Sequence, residues 1–479
     1  MSNSSQANKK KLNEMSITEA ARALRARECS VQELADACIT EARTKNPELN
    51  AYLEIFDIDK SAIENAQKCI DTEGDSAPLL AGIPLAMKDN ILIEGKTASA
   101  ASKMLENYRA VYDATVVKKL RNAGALFLGR TNMDEFALGG STENSAFGVT
   151  KNPHDTSRVS GGTSGGSAAA VAAHMAVAAL GTDTGGSIRN PASYCGVVGL
   201  KPTYGAVSRF GIIAAASSFD QVGPITKTVE DSRILFNAIR GHDAKDSTSI
   251  PDVMQKTEQK EPKTVGVPTH LFADALDKEM LGCFQSALDK CGLKIKEIEI
   301  PSAKPALAAY YIINFAEVST NLARFDGMRY GLARRNETLL DDYTDSRTDG
   351  FGDEVRRRIL LGTFVLSSGY IDAYYRKANA ARAQLTREFN DAFKEVDVIA
   401  TPTMPTPAFK IGEKSDPLSL YLEDTFTVLA NLTGMPAISV PMGEVLFDEK
   451  KLPAGIHFTA PHQAEDALFT VGIAGEKAR

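Results

Sequence analysis

Two clusters of hydroxyl side chains, each bracketed by glycines, flank an alanine-rich segment running from Ala168 to Leu180. They are Gly161-Gly162-Thr163-Ser164-Gly165-Gly166-Ser167 and Asp183-Thr184-Gly185-Gly186-Ser187. Glycine runs let a backbone reach φ > 0 and come close to a bound atom, because no Cβ intervenes. Successive N–H groups can then converge on one oxygen and stabilise the negative charge of a tetrahedral intermediate. On this reasoning Thr184, Gly185 and Gly186 form an oxyanion nest, and Ser187, which follows it, is the nucleophile. A serine hydroxyl attacks only once a base takes its proton. Of the six histidines, His154 and His174 are the ones nearby in sequence. His174 falls in the alanine-rich segment, which reads as a buried helix, so a packed core imidazole is its natural reading. A lysine can replace histidine when burial disfavours its ammonium form. Lys88, at the end of the apolar run Leu79 to Met87, suits that role. The plainer alternatives are glycines that only make tight turns and a lysine whose ammonium ends a strand in water.

The longer pattern resembles the amidase signature family. It is carried by Gly-Gly-Thr-Ser-Gly-Gly-Ser, by Gly-Thr-Asp-Thr-Gly-Gly-Ser-Ile-Arg-Asn-Pro, by Cys195-Gly-Val-Val-Gly-Leu-Lys-Pro-Thr203, and by Pro84-Leu-Ala-Met-Lys-Asp-Asn90 upstream. The resemblance implies a Ser–Ser–Lys triad that hydrolyses amides, with Lys88 as base and Ser187 as the acylated residue. It also implies a bridging serine on a cis peptide bond 24 positions before the nucleophile, which falls on Thr163. The chain departs from the family there. Thr163 keeps a hydroxyl that donates and accepts, and adds a methyl group to a crowded place. Ser164 is the alternative bridging hydroxyl.

Downstream, Arg356, Arg357 and Arg358 follow one another. On a helix they point about 100° apart, so one at most faces inward, where its planar fork suits a carboxylate. Asp424, in Asp416-Pro-Leu-Ser-Leu-Tyr-Leu-Glu-Asp424, could pair with an ammonium, or be a surface charge. These segments, with Ser319 to Gly327 and Ser367-Ser-Gly-Tyr370, resemble the A subunits of tRNA-dependent glutamine amidotransferases within that family. That similarity implies that Arg358 holds the α-carboxylate of glutamine, Asp424 its α-amino group, and one of Tyr310 and Tyr311 the same ligand. It further implies a heterotrimer with the B and C subunits of such an amidotransferase. Glutamine would be hydrolysed to glutamate and ammonia, and the B subunit, using ATP and magnesium, would pass the ammonia to Glu-tRNA(Gln) or Asp-tRNA(Asn). No cofactor or metal is implied for this chain itself, which also lacks a GxxxxGK[ST] loop. A free-standing amidase acting on small or fatty amides is the rival reading.

The elements that must position these groups follow from the rest of the chain. Its 479 residues, 43% apolar and 24% charged, suit a large globular core, and a net charge of −7 argues against direct neutralisation of a phosphate backbone. No run reaches the roughly 18 to 20 apolar residues of a membrane span, and the opening Met1 to Gln6 has no apolar export signal, so a cytoplasmic location is expected. Six cysteines without paired spacing read as reduced thiols. Residues 12–71 read as helices, with capping boxes at Ser16 to Glu19 and Ser30 to Glu33. After Gly82, apolar strands alternate with helices: Asp113 is placed to cap Ala114 to Asn122, Gly124 to end that helix, and Ala125 to Gly129 to form a strand. The same alternation returns at Thr264 to Val267, Lys278 to Cys291 and Lys294 to Ile300, and Leu452 to Ala460 reads as a late strand. This is an α/β layout, and the resemblance implies a large twisted mixed sheet covered on both faces by helices. One domain is expected over 1–479: a helical segment 12–71, a signature core 79–240 and a specificity region 263–479. The polar stretch His242 to Pro262 would be a surface connection within it.

Overall fold

The polar Lys151–Asn152, Asp155–Val159 and Lys294–Glu297 apart, runs of apolar residues with few charges become the strands. In the first half these are β1 (Tyr52–Ile55), β2 (Pro84–Lys88), β3 (Leu126–Thr131), β4 (Lys151–Asn152), β5 (Asp155–Val159), β6 (Ala178–Asp183), β7 (Val198–Lys201) and β8 (Gln221–Thr226). In the second half they are β9 (Thr264–Val267), β10 (Lys294–Glu297), β11 (Val398–Pro402), β12 (Ala437–Phe447) and β13 (Lys450–Thr459). The computed structural model describes residues 10–254, 261–272, 276 and 278–477. Eleven strands form one mixed sheet in the order β1-β3-β2-β6-β8-β7-β12-β13-β11-β9-β10, and β4 pairs with β5 alone. The central strands β2, β6 and β8 are buried at every residue, as strands covered on both faces must be. The expected α/β architecture is what the chain adopts.

Both capping boxes form: Ser16 and Glu19 start the helix Ile17–Arg25, and Ser30 and Glu33 start Val31–Leu49. The expectation of helices throughout 12–71 is corrected at β1, whose four residues pair antiparallel with β3. Asp113 does not cap the following helix, Thr115–Asn122. Its carboxylate accepts from the Glu94 N–H and from Arg121, and Ala114 takes the cap position. Gly124 does follow the end of that helix, at φ +77°. The stretch after His242 is more anchored than a surface connection: Asp246 and Ser249 are buried, and Asp246 accepts from the Arg209 N–H. Val253 and Met254 are exposed, and residues 255–260 of that stretch lie outside the described residues.

The alanine-rich segment is also corrected, and the correction builds the site. The helix is only Gly165–Ala172, and after a turn at His174 the chain returns as β6. His174 thus lies beyond the helix in a left-handed conformation, φ +61°. Because the helix leads away and β6 leads back, both hydroxyl clusters end at the same edge of the sheet. β2 lies beside β6 and parallel to it, so Lys88 at the end of β2 reaches that edge too. Open sheets of this kind bind ligands at the carboxyl ends of their strands.

Close packing of the helix requires glycine at Gly166: a Cβ there would overlap the carbonyl oxygens of Ala51 and Asn132. Backbone cannot yield as a side chain tip can. Gly166→Ala is expected to destabilise the fold by about 2–3 kcal/mol, measured by chemical denaturation; a variant within about 0.5 kcal/mol of the parent would contradict this packing account.

Candidate active site

Lys88 is fully buried, and among the described residues no carboxylate lies within ion-pair distance of it. Its Nζ meets three oxygens: Thr163 Oγ1 at 2.7 Å, Ser164 Oγ at 2.8 Å and the Thr182 carbonyl at 3.2 Å. Burial pushes the ammonium pKa down to about 7, while the more distant Asp134, Asp183 and Asp220 pull the other way. An amine in that range is available as a base near neutral pH.

Counting hydrogens orders the three contacts. A neutral amine has two N–H donors and one lone pair. The Thr182 carbonyl can only accept, so it takes one donor. Ser164 donates its own hydrogen to that carbonyl, at 3.1 Å, so its oxygen takes the second. The lone pair is left facing the Thr163 hydroxyl. Ser164 is further held by accepting from the Thr182 N–H at 3.4 Å, whereas Thr163 Oγ1 has no other partner among the described residues. Thr163 follows a cis peptide bond from Gly162. The two loops are tied by the Ser164 N–H, which donates to the Ser187 carbonyl at 3.0 Å. The Ser187 hydroxyl, on a residue 7% exposed, makes no hydrogen bond among the described residues.

The loop carrying Ser187 is shaped by a buried ion pair. Asp183 and Arg189 meet at 2.9 Å with neither exposed, and Arg189 also donates to Asn431, to the Thr427 carbonyl and toward His457. Burial would raise the Asp183 carboxyl; the guanidinium outweighs it and holds the group below the usual carboxylate range. Asp183 accepts from the N–H groups of Gly186 and Ile188 at 3.0 and 3.2 Å. Gly186 therefore departs from its expected place in the nest: its N–H is committed to Asp183. Those of Thr184, Gly185 and Ser187 donate to no protein acceptor among the described residues. Thr184 is held from the side by Asp220, at 2.6 Å, and the Gly185 carbonyl accepts from Thr427, also at 2.6 Å.

Of the three arginines, Arg358 alone faces inward, at 3% exposure. Its guanidinium lies 5.3–5.9 Å from the rings of Tyr421, Tyr311 and Phe315, a favourable setting for a cation. Asp424 is buried nearby and accepts from the Tyr311 hydroxyl at 2.6 Å; burial raises its pKa to about 7 despite that bond. The two tyrosines divide the work. Tyr311 touches both charges, while the Tyr310 hydroxyl sits where a Cβ on Gly185 would overlap it.

The fold thus brings together a depressed-pKa lysine, two hydroxyl loops, and a buried arginine and aspartate that both touch Tyr311, while the Gly186 N–H stands outside the nest. The family described as Amidase matches residues 33–469. The chain belongs to the amidase family. Among its relatives in that family, the A subunit of the glutamyl-tRNA(Gln) amidotransferase of Syntrophobacter fumaroxidans is 50% identical over 463 residues, 94% of each chain. That of Koribacter versatilis is 47% identical over 478 residues, 98% of this chain and 99% of the relative. Among solved structures, the A subunit of the glutamyl-tRNA(Gln) amidotransferase of Thermotoga maritima superposes with a TM-score of 0.79 at 40% identity, covering 98% of this chain and 95% of that one. The peptide amidase of Stenotrophomonas maltophilia superposes with a TM-score of 0.79 at 26% identity, covering 97% and 96%.

Sequence reasoning about this amidase missed the groups behind the site: Asp183 and Arg189 beneath the glycine loop, and Glu354, Asn314 and Tyr421 around Arg358. Glu354 carried a readable signal, four residues before Arg358 on one helix face. Asp183→Asn would leave the Arg189 charge buried without its counter-ion. The variant is expected to lose about 3–5 kcal/mol of stability, measured by denaturant unfolding, and a loss below about 1 kcal/mol would show that the pair does not hold the loop.

Proposed function

We propose that this chain is the glutaminase component of a tRNA-dependent amidotransferase, releasing ammonia from glutamine through an acyl-Ser187 intermediate. The observation that carries the reading is Lys88 Nζ, buried without a carboxylate partner and 2.7 Å from a threonine hydroxyl beside the Ser187 loop. The amidotransferase relatives, matched over nearly their whole length, support the same reading.

Glutamine binds with its α-carboxylate on Arg358 and its α-ammonium on Asp424. Neutral Lys88 takes the Thr163 proton as Thr163 takes that of Ser187, and Ser187 Oγ attacks the side-chain amide carbon. The hydroxyl contacts tighten when substrate is bound. The N–H groups of Thr184, Gly185 and Ser187 receive the oxyanion, each such donor being worth about 3–4 kcal/mol of barrier. Gly186 serves by fixing the turn through Asp183. The proton held by Lys88 returns through Thr163 to the departing nitrogen, the C–N bond breaks, and ammonia leaves a glutamyl ester on Ser187. Water attacks the ester, Ser187 regains its hydrogen and glutamate departs.

Free ammonia needs an acceptor nearby. That acceptor belongs to the B subunit, which activates Glu-tRNA(Gln) with ATP and magnesium, in a cytoplasmic heterotrimer completed by the C subunit. Among the described residues no helix is long and apolar enough to cross a membrane. A free-standing amidase for small or fatty amides would share the triad, but it would leave Arg358 and Asp424 buried with no charged ligand to meet them.

Ser187→Ala should abolish ammonia release from glutamine while leaving the unfolding midpoint unchanged. Thr163→Ser should retain activity within about tenfold, and Thr163→Val should lose about a hundredfold or more; equal activity in the serine and valine variants would remove Thr163 from the relay. Glutaminase turnover should rise when the B and C subunits are added, and failure to respond would favour the free amidase.

The pH dependence has a definite sign. Lys88 acts neutral and Asp424 acts ionised, and each reaches that form above a pKa of about 7. The kcat/KM for glutamine should therefore fall below neutrality with a limiting slope approaching two, the two steps belonging to the site as a whole. Asp424→Asn should reduce the slope to one, and an unchanged slope would exclude Asp424 as the second group.

A further inference from the structure

The helix Asp353–Leu366 brings a second buried charge to the amino-acid end of the site. Glu354 Oε1 accepts from Arg358 Nε at 2.7 Å and from the Tyr421 hydroxyl at 2.8 Å, while Oε2 faces the exposed Arg357. On the far side Arg358 Nη1 donates to Asn314 Oδ1 at 3.2 Å, and the Asn314 amide nitrogen donates to the Tyr310 hydroxyl at 3.4 Å. Arg358 Nη2 is buried and has no hydrogen-bond partner among the described residues. Three rings close over the guanidinium, so it cannot swing out to water without breaking them.

We infer that Glu354 is a positioning residue for substrate: it pins the Nε edge of Arg358 and so aims the Nη2 edge at the carboxylate of the amino-acid substrate. The inference rests on the proposed glutamine reading and deepens it. A carboxylate approaching an arginine can choose either edge of the fork. Glu354 occupies one, and Asn314 takes a hydrogen of Nη1, which leaves a single approach. Glu354 also supplies the counter-charge that lets a guanidinium remain buried between turnovers, when no substrate carboxylate is there to balance it. Neither Glu354 nor Asn314 contacts the triad, so their effect falls on binding the α-carboxylate and not on the acyl chemistry.

The test compares glutamine with 4-aminobutanamide, the same molecule without its carboxylate, using the complete amidotransferase complex. In the parent enzyme 4-aminobutanamide should show a much higher KM than glutamine. Glu354→Ala should raise the KM for glutamine about 30- to 100-fold, with kcat changed less than about threefold and the KM for 4-aminobutanamide unmoved. Glu354→Gln, which keeps an oxygen for Nε, should recover much of that loss. Tyr421→Phe keeps the ring and removes only the second donor to Glu354; it should raise the glutamine KM a few-fold, and it reports even if the alanine variant fails to fold. Equal KM increases for both substrates, or a fall in kcat for both, would overturn the positioning role, because a displaced helix would do that. An unchanged glutamine KM in all three variants would overturn it as well. If the parent enzyme itself failed to distinguish the two amides, the assignment of Arg358 to the carboxylate would be wrong, and this inference would fall with it.

Discussion

The site depends on removing one ammonium group from water without giving it an anion to rest against. Moving the Lys88 pKa from 10.5 to about 7 means that the charged form is disfavoured by about 5 kcal/mol relative to its hydrated state. A carboxylate in contact would undo this, turning the amine into one half of a salt bridge. The three acidic side chains that influence Lys88 are each engaged elsewhere: Asp134 by the N–H groups of Thr142 and Asn144, Asp183 by Arg189, Asp220 by Thr184. Their bonds keep them turned from the amine. The surrounding fold reads as the means of burying a lysine among oxygens that carry no charge.

The same principle runs in reverse beneath the Ser187 loop. Asp183 and Arg189 are buried as a matched pair, and such pairs rarely add stability over apolar packing. What this pair supplies is direction, because Asp183 uses its remaining lone pairs on two N–H groups of the loop. The turn at Gly186, φ +135°, is thus held from beneath by a fixed charge. Arg358, by contrast, pairs directly with Glu354, and the Asp424 carboxylate holds only the neutral Tyr311 hydroxyl among the described residues, so neither of those charges is spent on the other. One pair is closed and shapes the backbone. Arg358 and Asp424 are not closed on each other, and on the glutaminase reading they meet a ligand bearing both signs.

What was readable in the chain was what is local. Lys88 sits at the end of a continuous apolar run, and Thr163 and Ser187 sit in glycine-bracketed clusters, so each announces itself within ten residues. That no more than one of the three arginines turns inward followed from helical geometry alone. The misses have equally physical origins. β1 is a four-residue strand wedged between helices, and its pairing with β3 is a long-range event. Asp113 has the type of a cap but finds stronger partners in Arg121 and the Glu94 N–H. The alanine-rich segment favours a helix by composition, yet after a turn its last residues, Ala178 to Leu180, are claimed by the sheet between β2 and β8, where tertiary pairing overrides propensity. Asn314, Glu354 and Tyr421 come from three separate helices, and no spacing in the chain brings them together.

The two ends of the site are joined by one peptide bond. Tyr310 and Tyr311 are consecutive on the helix Ala303–Asn321, and side chains one residue apart point about 100° from each other. One ring can therefore face Gly185 in the Ser187 loop while the other faces Arg358 and Asp424. That helix is anchored at its far end, where Glu317 and Asn321 accept from and donate to the 215–218 segment leading to Asp220. The span between the Ser187 loop and the two buried charges is consequently set by rigid backbone and not by mobile side chains. On the glutaminase reading, the number of methylenes between the α-carbon and the amide is measured against this span, so the helix acts as the ruler of the substrate.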